Sequence, residues 1–510
     1  MGNAGVESMT ERERKFEVGL HSPVPALEGV ASVARQAEPR ASSLDATYFD
    51  TRDHRLTGAG ITLRRRTGGE DEGWHLKLPF GEDTRDEVRV ALGKERDRVP
   101  QQLADLVRAH THGRKLVPIA RLKTARSEYG LIDVEGRTVA TLADDHVTGA
   151  AAGSIATLDQ WREWEIELTD AADGRLLDAL TEALADRDVT PSGASSKLGR
   201  LLGTAPSPAG SAKVGRRSDA GTVVSAYLRS QVAALRRNDI GVRRDAEDAV
   251  HQMRVATRRL RSALGTFRRV LDRDATRDLS RELKWLAGVL GAARDTEVMH
   301  ENLAAQLDAL PPELVMGPVR ERLDTYFAGE AAAARATALE ALNGTRYDAL
   351  QRSLDRLVEK PPLRKKARRR ADDELRHAIR RANKQLVAAV REVGEAGAAA
   401  DLDERLHKVR KKAKQARYAA DAARPAFGAR LKKWRSAVKA IQGTLGDRND
   451  IVVARDVLAD LAREAHRCGE NAFSYGLLHG RGTGRANELH RTFDRQWREL
   501  ASGPASRWPA

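Results

Sequence analysis

Apolar and polar positions alternate with period two through much of the first 170 residues. In "WHLKLP" (74–79) Trp74, Leu76 and Leu78 share one face, opposite His75 and Lys77. In "TRDEVRV" (84–90) Val88 and Val90 oppose Arg85, Glu87 and Arg89. In "WREWEIEL" (161–168) Trp164, Ile166 and Leu168 oppose Glu163, Glu165 and Glu167. "ITLRRR" (61–66) puts Thr62, Arg64 and Arg66 on one face, and "ATYFDT" (46–51), "ARSEYGL" (125–131) and "VATLADDHV" (139–147) read as further strands. Helical periods fall between some of them, at "QQLADLVRAH" (101–110) and "LLDALTEALADR" (176–187). The first strand, "ERERKFEV" (11–18), is the odd one. Glu11, Glu13, Lys15 and Glu17 share a face, and Arg12, Arg14, Phe16 and Val18 share the other.

Two arrangements produce faces of this kind. In one, the apolar faces form a conventional core and the charged faces meet water. In the other, the charged faces line a closed barrel and helices cover the apolar faces from outside. The mixture of signs bears on the second. Carboxylates bind divalent metal through hard oxygens, while Arg and Lys bind phosphate oxygens. An interior with both can hold a metal–polyphosphate complex.

The pattern changes after "TAPSPAGSAKVGRRSDAG" (204–221), whose composition marks a flexible linker. Beyond it Ala, Leu and Arg recur with helical period, broken again at "KPPLRKKARRR" (360–370). This half contains a repeat. "HQMRVATRRLR" places His251, Arg254, Arg258 and Arg261 at the same offsets as His407, Arg410, Lys414 and Arg417 in "HKVRKKAKQAR". "KWLAGVLGAARD" (284–295) likewise aligns with "KAIQGTLGDRND" (439–450), matching Lys284 to Lys439 and Asp295 to Asp450. Two copies of one helical bundle are expected. On a helix the four basic positions of the first motif fall within about a quarter-turn, opposite Met253, Ala256, Leu260, Leu264 and Phe267. A solvated face normally mixes signs and gains i,i+4 pairs. A stripe without acids points to a polyanion. The run 364–370 reads as a solvated helix start.

Charge sharpens the division. The chain of 510 residues has net charge +15, with about −6 on residues 1–200 and about +21 on the remainder. The basic half calls for an anionic partner. Its stripes have few aromatics beside them (Trp285, Tyr418 and Trp434 are the nearest) and no DNA-binding motif is present, so nucleic acid is not expected as the specific partner. The single cysteine, Cys468, excludes an intrachain disulfide and a thiolate metal cluster. No transmembrane-length apolar run or signal sequence is found, and a cytoplasmic protein without membrane association is expected.

The N-terminal motifs, Glu11-x-Glu13-x-Lys15, "YFDT", "LRRR", "WHLKLP", "TRDEVRV", "LKTARSEYGL", "ADDHV" and "WEIEL", together resemble the CYTH domain, or triphosphate tunnel metalloenzyme, across residues 9–203. The resemblance implies an eight-stranded antiparallel tunnel that takes triphosphates with Mg²⁺ or Mn²⁺. It implies metal-associated carboxylates at Glu11, Glu13, Glu165 and Glu167, and at Asp145, with Asp144 as the alternative register. It implies phosphate contacts from Lys15, Arg64, Arg66, Lys77, Arg85, Arg126 and Lys197, with Glu87 and Glu163 as further tunnel carboxylates. No nucleophilic side chain is needed, and no P-loop is present.

The helical motifs resemble the CHAD domain, a helical domain named for its histidines, over about residues 220–505. That resemblance implies a duplicated four-helix bundle binding inorganic polyphosphate. By position the contacts would be His251, Arg254, Arg258, Arg261, Lys284, His407, Arg410, Lys414, Arg417, Lys432 and Lys439. Lys414 departs from the arginine of the first copy and loses the guanidinium fork.

The expected architecture is therefore an α+β tunnel domain over 1–203, a linker over 204–220, and an all-α domain of two bundles, 221–360 and 361–505. The expected activity is a metal-dependent triphosphatase acting on tripolyphosphate or a related triphosphate, tethered to polyphosphate and its granules. A polyphosphate-binding protein without turnover is the alternative, and cyclisation of a nucleoside triphosphate stays open.

Overall fold

Strands form where the period-two pattern is, and their charged faces turn inward. The computed structural model describes residues 6–79, 83–151, 157–194, 196–203, 214–395 and 399–503. Residues 1–5 and 204–213, which hold the start of the chain and most of the expected linker, lie outside them. The chain divides into two compact units, Met1–Gly210 and Ser211–Ala510.

The first unit contains β1 (Val6–Val18), β2 (Arg35–Gln36), β3 (Arg40–Asp50), β4 (Thr62–Thr67), β5 (Gly73–Pro79), β6 (Thr84–Val90), β7 (Val117–Ile132), β8 (Thr138–Ala151) and β9 (Thr157–Leu168). Their order is β2-β7-β3-β4-β5-β6-β1-β9-β8, and β8 also pairs with β7. The eight longer strands therefore close into an antiparallel barrel, with the two-residue β2 attached outside the ring on β7. Short helices α1 (Arg55–Gly58), α2 (Gln101–Leu106) and α3 (Arg108–Thr111) occupy connections, and α4 (Gly174–Ala185) and α5 (Lys197–Leu201) follow the last strand. The expected helix at 101–110 is broken at Val107, which joins α2 to α3.

The apolar core of this unit lies outside the barrel. Phe16, Leu142, Trp164 and Ile166 point away from the axis and pack against Leu176, Leu177, Leu180 and Leu184 of α4. A second cluster joins Ile119, Leu122, Val147 and Trp161 to Leu198 and Leu201 of α5. Gly149 lets α5 approach, since a Cβ there would lie 3.0 Å from Leu201 Cδ1 and 3.3 Å from the Trp161 ring. That approach sets Lys197, the first residue of α5, at the barrel wall.

The second unit is helical: α6 (Ala220–Arg243), α7 (Ala249–Thr266), α8 (Arg277–Asp308), α9 (Val319–Asn343), α10 (Thr345–Glu359), α11 (Ala371–Val393), α12 (Ala399–Phe427), α13 (Lys432–Arg467) and α14 (Phe473–Ser502). The repeated motifs fall on matching helices, the first on α7 and α12 and the second on α8 and α13. The copies do not stand apart. Helix α12 packs against α6 and α7, and Leu303, Leu307, Leu323 and Phe327 share a core with Leu458, Leu461 and Tyr475. The run 364–370 departs from a solvated helix start. It forms a 3₁₀ turn, Lys365–Arg368, whose Ala367 is buried, and a Cβ on Gly221 would lie 3.1 Å from the Ala367 Cβ.

Because the apolar contacts that hold the barrel are external, truncating them should destabilise the first unit without touching its interior. Leu180→Ala removes a fully buried side chain of α4 and is expected to cost about 2–5 kcal/mol, read as a lowered urea midpoint of the first unit.

Candidate active site: a charged tunnel

The inward rows of the barrel strands meet around a cavity of about 160 Å³. Eight cationic and six carboxylate side chains line it. Register places them. Glu13 lies opposite Glu167 and Lys15 opposite Glu165 across β1 and β9. Tyr48 faces Arg64 across β3 and β4, Lys77 faces Glu87 across β5 and β6, and Arg126 faces Asp145 across β7 and β8. Around the ring, β4 is four strands from β9, so the Arg64 and Arg66 wall stands across from the Glu165 and Glu167 wall.

Of the tunnel positions expected from sequence, Glu11, Glu13, Lys15, Arg64, Arg66, Lys77, Arg85, Arg126, Glu165, Glu167 and Lys197 line this cavity. Asp145 does not. It lies fully buried behind the lining, where Arg126 donates to both of its oxygens at 2.8 and 2.7 Å. The register question is resolved by its neighbour. Asp144 points outward and accepts from Arg162 at 2.7 and 2.9 Å and from the Trp164 indole at 3.1 Å.

Asp145, Glu163 and Glu165 come close enough to share a metal ion. A protein cation already holds them. Lys197 Nζ lies 2.8 Å from Asp145, 2.8 Å from Glu163 and 2.6 Å from Glu165. Arg126 adds a bond to Glu165 at 2.7 Å. These opposing charges hold the carboxyls of Asp145 and Glu165 below their usual range against the effect of burial. The open carboxylates are elsewhere, at Glu11, Glu13 and Glu167. Lys77 sits 2.5 Å from Glu11 and Lys15 sits 2.9 Å from Glu13. Among the described residues Glu167 makes no ion pair.

The electrostatics follow. Burial pushes Glu11 up to about 7, with Lys77 opposing and Glu87 and Glu167 adding. Burial also pushes Glu167 up, partly offset by Lys77 and reinforced by Glu13 and Glu165. Glu13 is buried too, but Lys15 and Lys77 bring it down to about 2. Three neighbouring carboxylates built from hard oxygens fit a divalent cation. The opposite wall is cationic, with Asp71 beside Arg66. The Nε groups of Arg64 and Arg66 are enclosed and make no hydrogen bond among the described residues. Burial, with Arg64 and Arg126 alongside, pushes Arg66 down to about 9.

Three contributors carry no assignment from sequence. Arg89 lines the cavity, pairs with Glu87 and lies 3.6 Å from Glu11. His75 is buried between Glu87, at 3.0 Å from Nδ1, and the Asp71 carbonyl, at 2.9 Å from Nε2. Burial, with Arg64 and Arg66 nearby, pushes its imidazole down to about 4. Asp71 itself reaches the cavity from the β4–β5 connection. The alternation placed His75 and Arg89 on charged faces, but only the closed ring shows what they meet.

In the helical unit, packing of α7 against α12 converges the two basic stripes. Burial pushes Lys414 down to about 6, with Arg258, Arg410 and Arg254 adding repulsion. Arg258 is also lowered, by burial and by Arg254, Arg410 and Arg261. Arg417 lies over the Tyr418 ring at 4.9 Å, and the Nε groups of Arg410 and Arg417 are enclosed without hydrogen bonds among the described residues. The second motif answers the first. Asp295 accepts from Arg254 at 2.7 and 3.1 Å, and Asp450 from Arg410 at 3.4 Å. His407 Nδ1 lies 2.6 Å from Asn449 Oδ1, and His251 is half-buried on α7. Lys284, Lys432 and Lys439 are exposed, and no ion pair among the described residues ties them to this cluster. No described helix is long and apolar enough to cross a membrane.

Comparison with known proteins matches both units. The CYTH domain model matches residues 9–200 and the CHAD domain model residues 226–459. An uncharacterized protein of Mycobacterium tuberculosis, found in two strains, is 41% identical over 481 residues, covering 92% of each chain. Among solved structures, PptA from Streptomyces chartreusis is 23% identical, with a TM-score of 0.46, covering 55% of this chain and 100% of its own. The CHAD domain from the plant Ricinus communis is 24% identical, with a TM-score of 0.45, covering 56% of this chain and 93% of its own.

Two stability measurements test this charge arrangement. Lys197→Met leaves three buried carboxylates facing one another and should cost about 3–5 kcal/mol at neutral pH. Without that ammonium, Asp145 and Glu165 would titrate higher in the folded than in the unfolded state. The loss should therefore grow from pH 5 to pH 8 in urea unfolding. Lys414 behaves oppositely. Its folded value of about 6 lies below its ordinary 10.5, so the unfolded chain holds more protons across that window and stability rises with pH. Lys414→Met should stabilise most near pH 6, with the gain shrinking toward pH 10.

Proposed function

The chain belongs to the family of proteins in which a CYTH domain precedes a CHAD domain, and from that premise we propose a metal-dependent triphosphatase joined to a polyphosphate-binding domain. The substrate is inorganic tripolyphosphate or a related triphosphate. The observation that carries this is the division of the cavity into two walls, the carboxylates of Glu11 and Glu167, both pushed up by burial, and the guanidinium groups of Arg64 and Arg66, whose Nε donors are enclosed without hydrogen bonds among the described residues. A triphosphate supplies the acceptors that one wall lacks, and a divalent cation bound to it supplies the charge that the other lacks.

Glu11, Glu13 and Glu167 would hold Mg²⁺ or Mn²⁺, which when bound neutralises phosphate charge and polarises the phosphorus. Arg64, Arg66 and Arg126 orient the chain of phosphoryl groups through the fork geometry of the guanidinium. Lys15 and Lys77, each already beside a carboxylate, shift between that partner and a phosphate oxygen. A water held by a carboxylate of the acidic wall passes a proton to that carboxylate as its oxygen bonds to the terminal phosphorus. The bond to the bridging oxygen then breaks, orthophosphate and diphosphate form, and the charge left on the diphosphate rests on the arginine wall.

The convergent stripes of α7 and α12 suit a linear polyanion lying along them. Each phosphate relieves repulsion that the fold otherwise carries at Arg258 and Lys414. Association with polyphosphate granules in the cytoplasm follows from that binding.

Phosphate release from tripolyphosphate with Mg²⁺ or Mn²⁺ tests the first claim. The double variant Glu11→Ala/Glu13→Ala should lose activity by about 100-fold or more. No release by folded wild-type protein, with polyphosphate binding retained, would favour the binding protein without turnover. For the second claim, Arg258→Ala/Arg410→Ala should weaken binding of labelled polyphosphate at least about tenfold, measured by fluorescence anisotropy, and leave tripolyphosphate hydrolysis unchanged.

A further inference from the structure

The β4–β5 connection carries an acid into the phosphate-binding wall. Asp71 forms an ion pair with Arg66 and lies 3.9 Å from Arg89. Arg66 is almost wholly enclosed, with 7% of its side chain exposed, whereas Asp71 is 33% exposed at the cavity rim. The connection is shaped to deliver this side chain. Gly68 and Gly69 take positive φ of 79° and 87°, and a Cβ on Gly68 would lie 2.1 Å from the Ser43 carbonyl oxygen. Glu72 Oε1 accepts from Gly68 N at 2.7 Å. The Asp71 carbonyl is pinned by His75 Nε2 at 2.9 Å. With its carbonyl held, the residue can leave Arg66 by rotating its side chain into solvent.

We propose that Asp71 stands in for a phosphate group and sets the affinity threshold of the arginine wall. Its carboxylate occupies the anion position on Arg66 and Arg89, so a ligand reaching them must first displace it. This rests on the tunnel binding triphosphates, as proposed above. A carboxylate offers one negative charge and two oxygens, whereas a terminal phosphoryl group offers more charge and three oxygens, so the phosphoryl prevails at a guanidinium. Weaker anions, such as carboxylates and sulfate, would not. Asp71 thereby lowers the affinity for every ligand that needs Arg66 and keeps the tunnel closed to ordinary cellular anions.

Calorimetric titration of tripolyphosphate into the full-length protein, with divalent metal removed by chelation, tests this. Asp71→Asn should bind about tenfold tighter than wild type. Glu70→Gln removes the same charge one residue away, from a side chain that is 94% exposed and lies 3.6 Å from Arg40, and should change affinity less than twofold. Equal gains in both variants would reduce the effect to general electrostatics and overturn the proposal. So would unchanged or weaker binding by Asp71→Asn while wild type binds. If wild type binds no tripolyphosphate in this titration or with Mg²⁺ added, the triphosphate reading of the tunnel fails, and this inference with it.

Discussion

A charge cannot be buried alone. In the barrel of the first unit that rule governs a whole interior rather than one pair. Lys197 holds three carboxylates, Arg126 holds two, and Lys15 stands between Glu13 and Glu165. Such networks give little net stability over a packed apolar interior. The apolar work is therefore displaced to the outer surface, where α4 and α5 cover the ring. What the interior gains is a set of charges already stripped of water. When a ligand replaces internal partners, the cations it meets have already lost their water, and only the ligand's own desolvation is added.

The same arrangement recurs in the helical unit on an unrelated scaffold. Arg254 and Arg410 are each met by an aspartate from the next helix of their copy, Asp295 and Asp450. Like Asp71, these acids are more exposed than the arginines they meet, at 64% and 40% against 20% and 18%. An exposed carboxylate on an enclosed guanidinium keeps the cation in place without sealing it. The repeat thus keeps its two motifs at nearly the same distance, one supplying the cation and the other the aspartate that meets it.

Much of this was legible in the chain. Glu163, Glu165 and Glu167 alternating with Trp164, Ile166 and Leu168 defined two faces without ambiguity. Alternation alone did not say which face was inside, because a solvated face and a charged lumen leave the same period. The motif order and its family resemblance supplied that. Contacts made by ring closure were not legible. The choice between Asp144 and Asp145 depends on which way β8 pleats. Lys197 reaches Asp145, Glu163 and Glu165 from α5, which packs closely over Gly149, and Asp71 lies in a glycine-rich connection where no periodic pattern marks it. In the helical half, the offsets gave the stripes, but nothing local said that α7 and α12 would meet or that the copies would share Leu307, Phe327, Leu458 and Tyr475 in one core.

The closure of the ring also bears on how the protein is made. β1 is synthesised well before β9, yet β9 is one of its two partners, with Arg12 opposite Leu168. Contacts of such long range are slow to form, and an unpaired apolar strand left waiting for them is prone to join the wrong edge. Charged residues on a strand discourage that pairing. Glu11, Glu13 and Lys15, which line the finished tunnel, are therefore also charges of the kind that disfavour a wrong pairing of an unpaired strand.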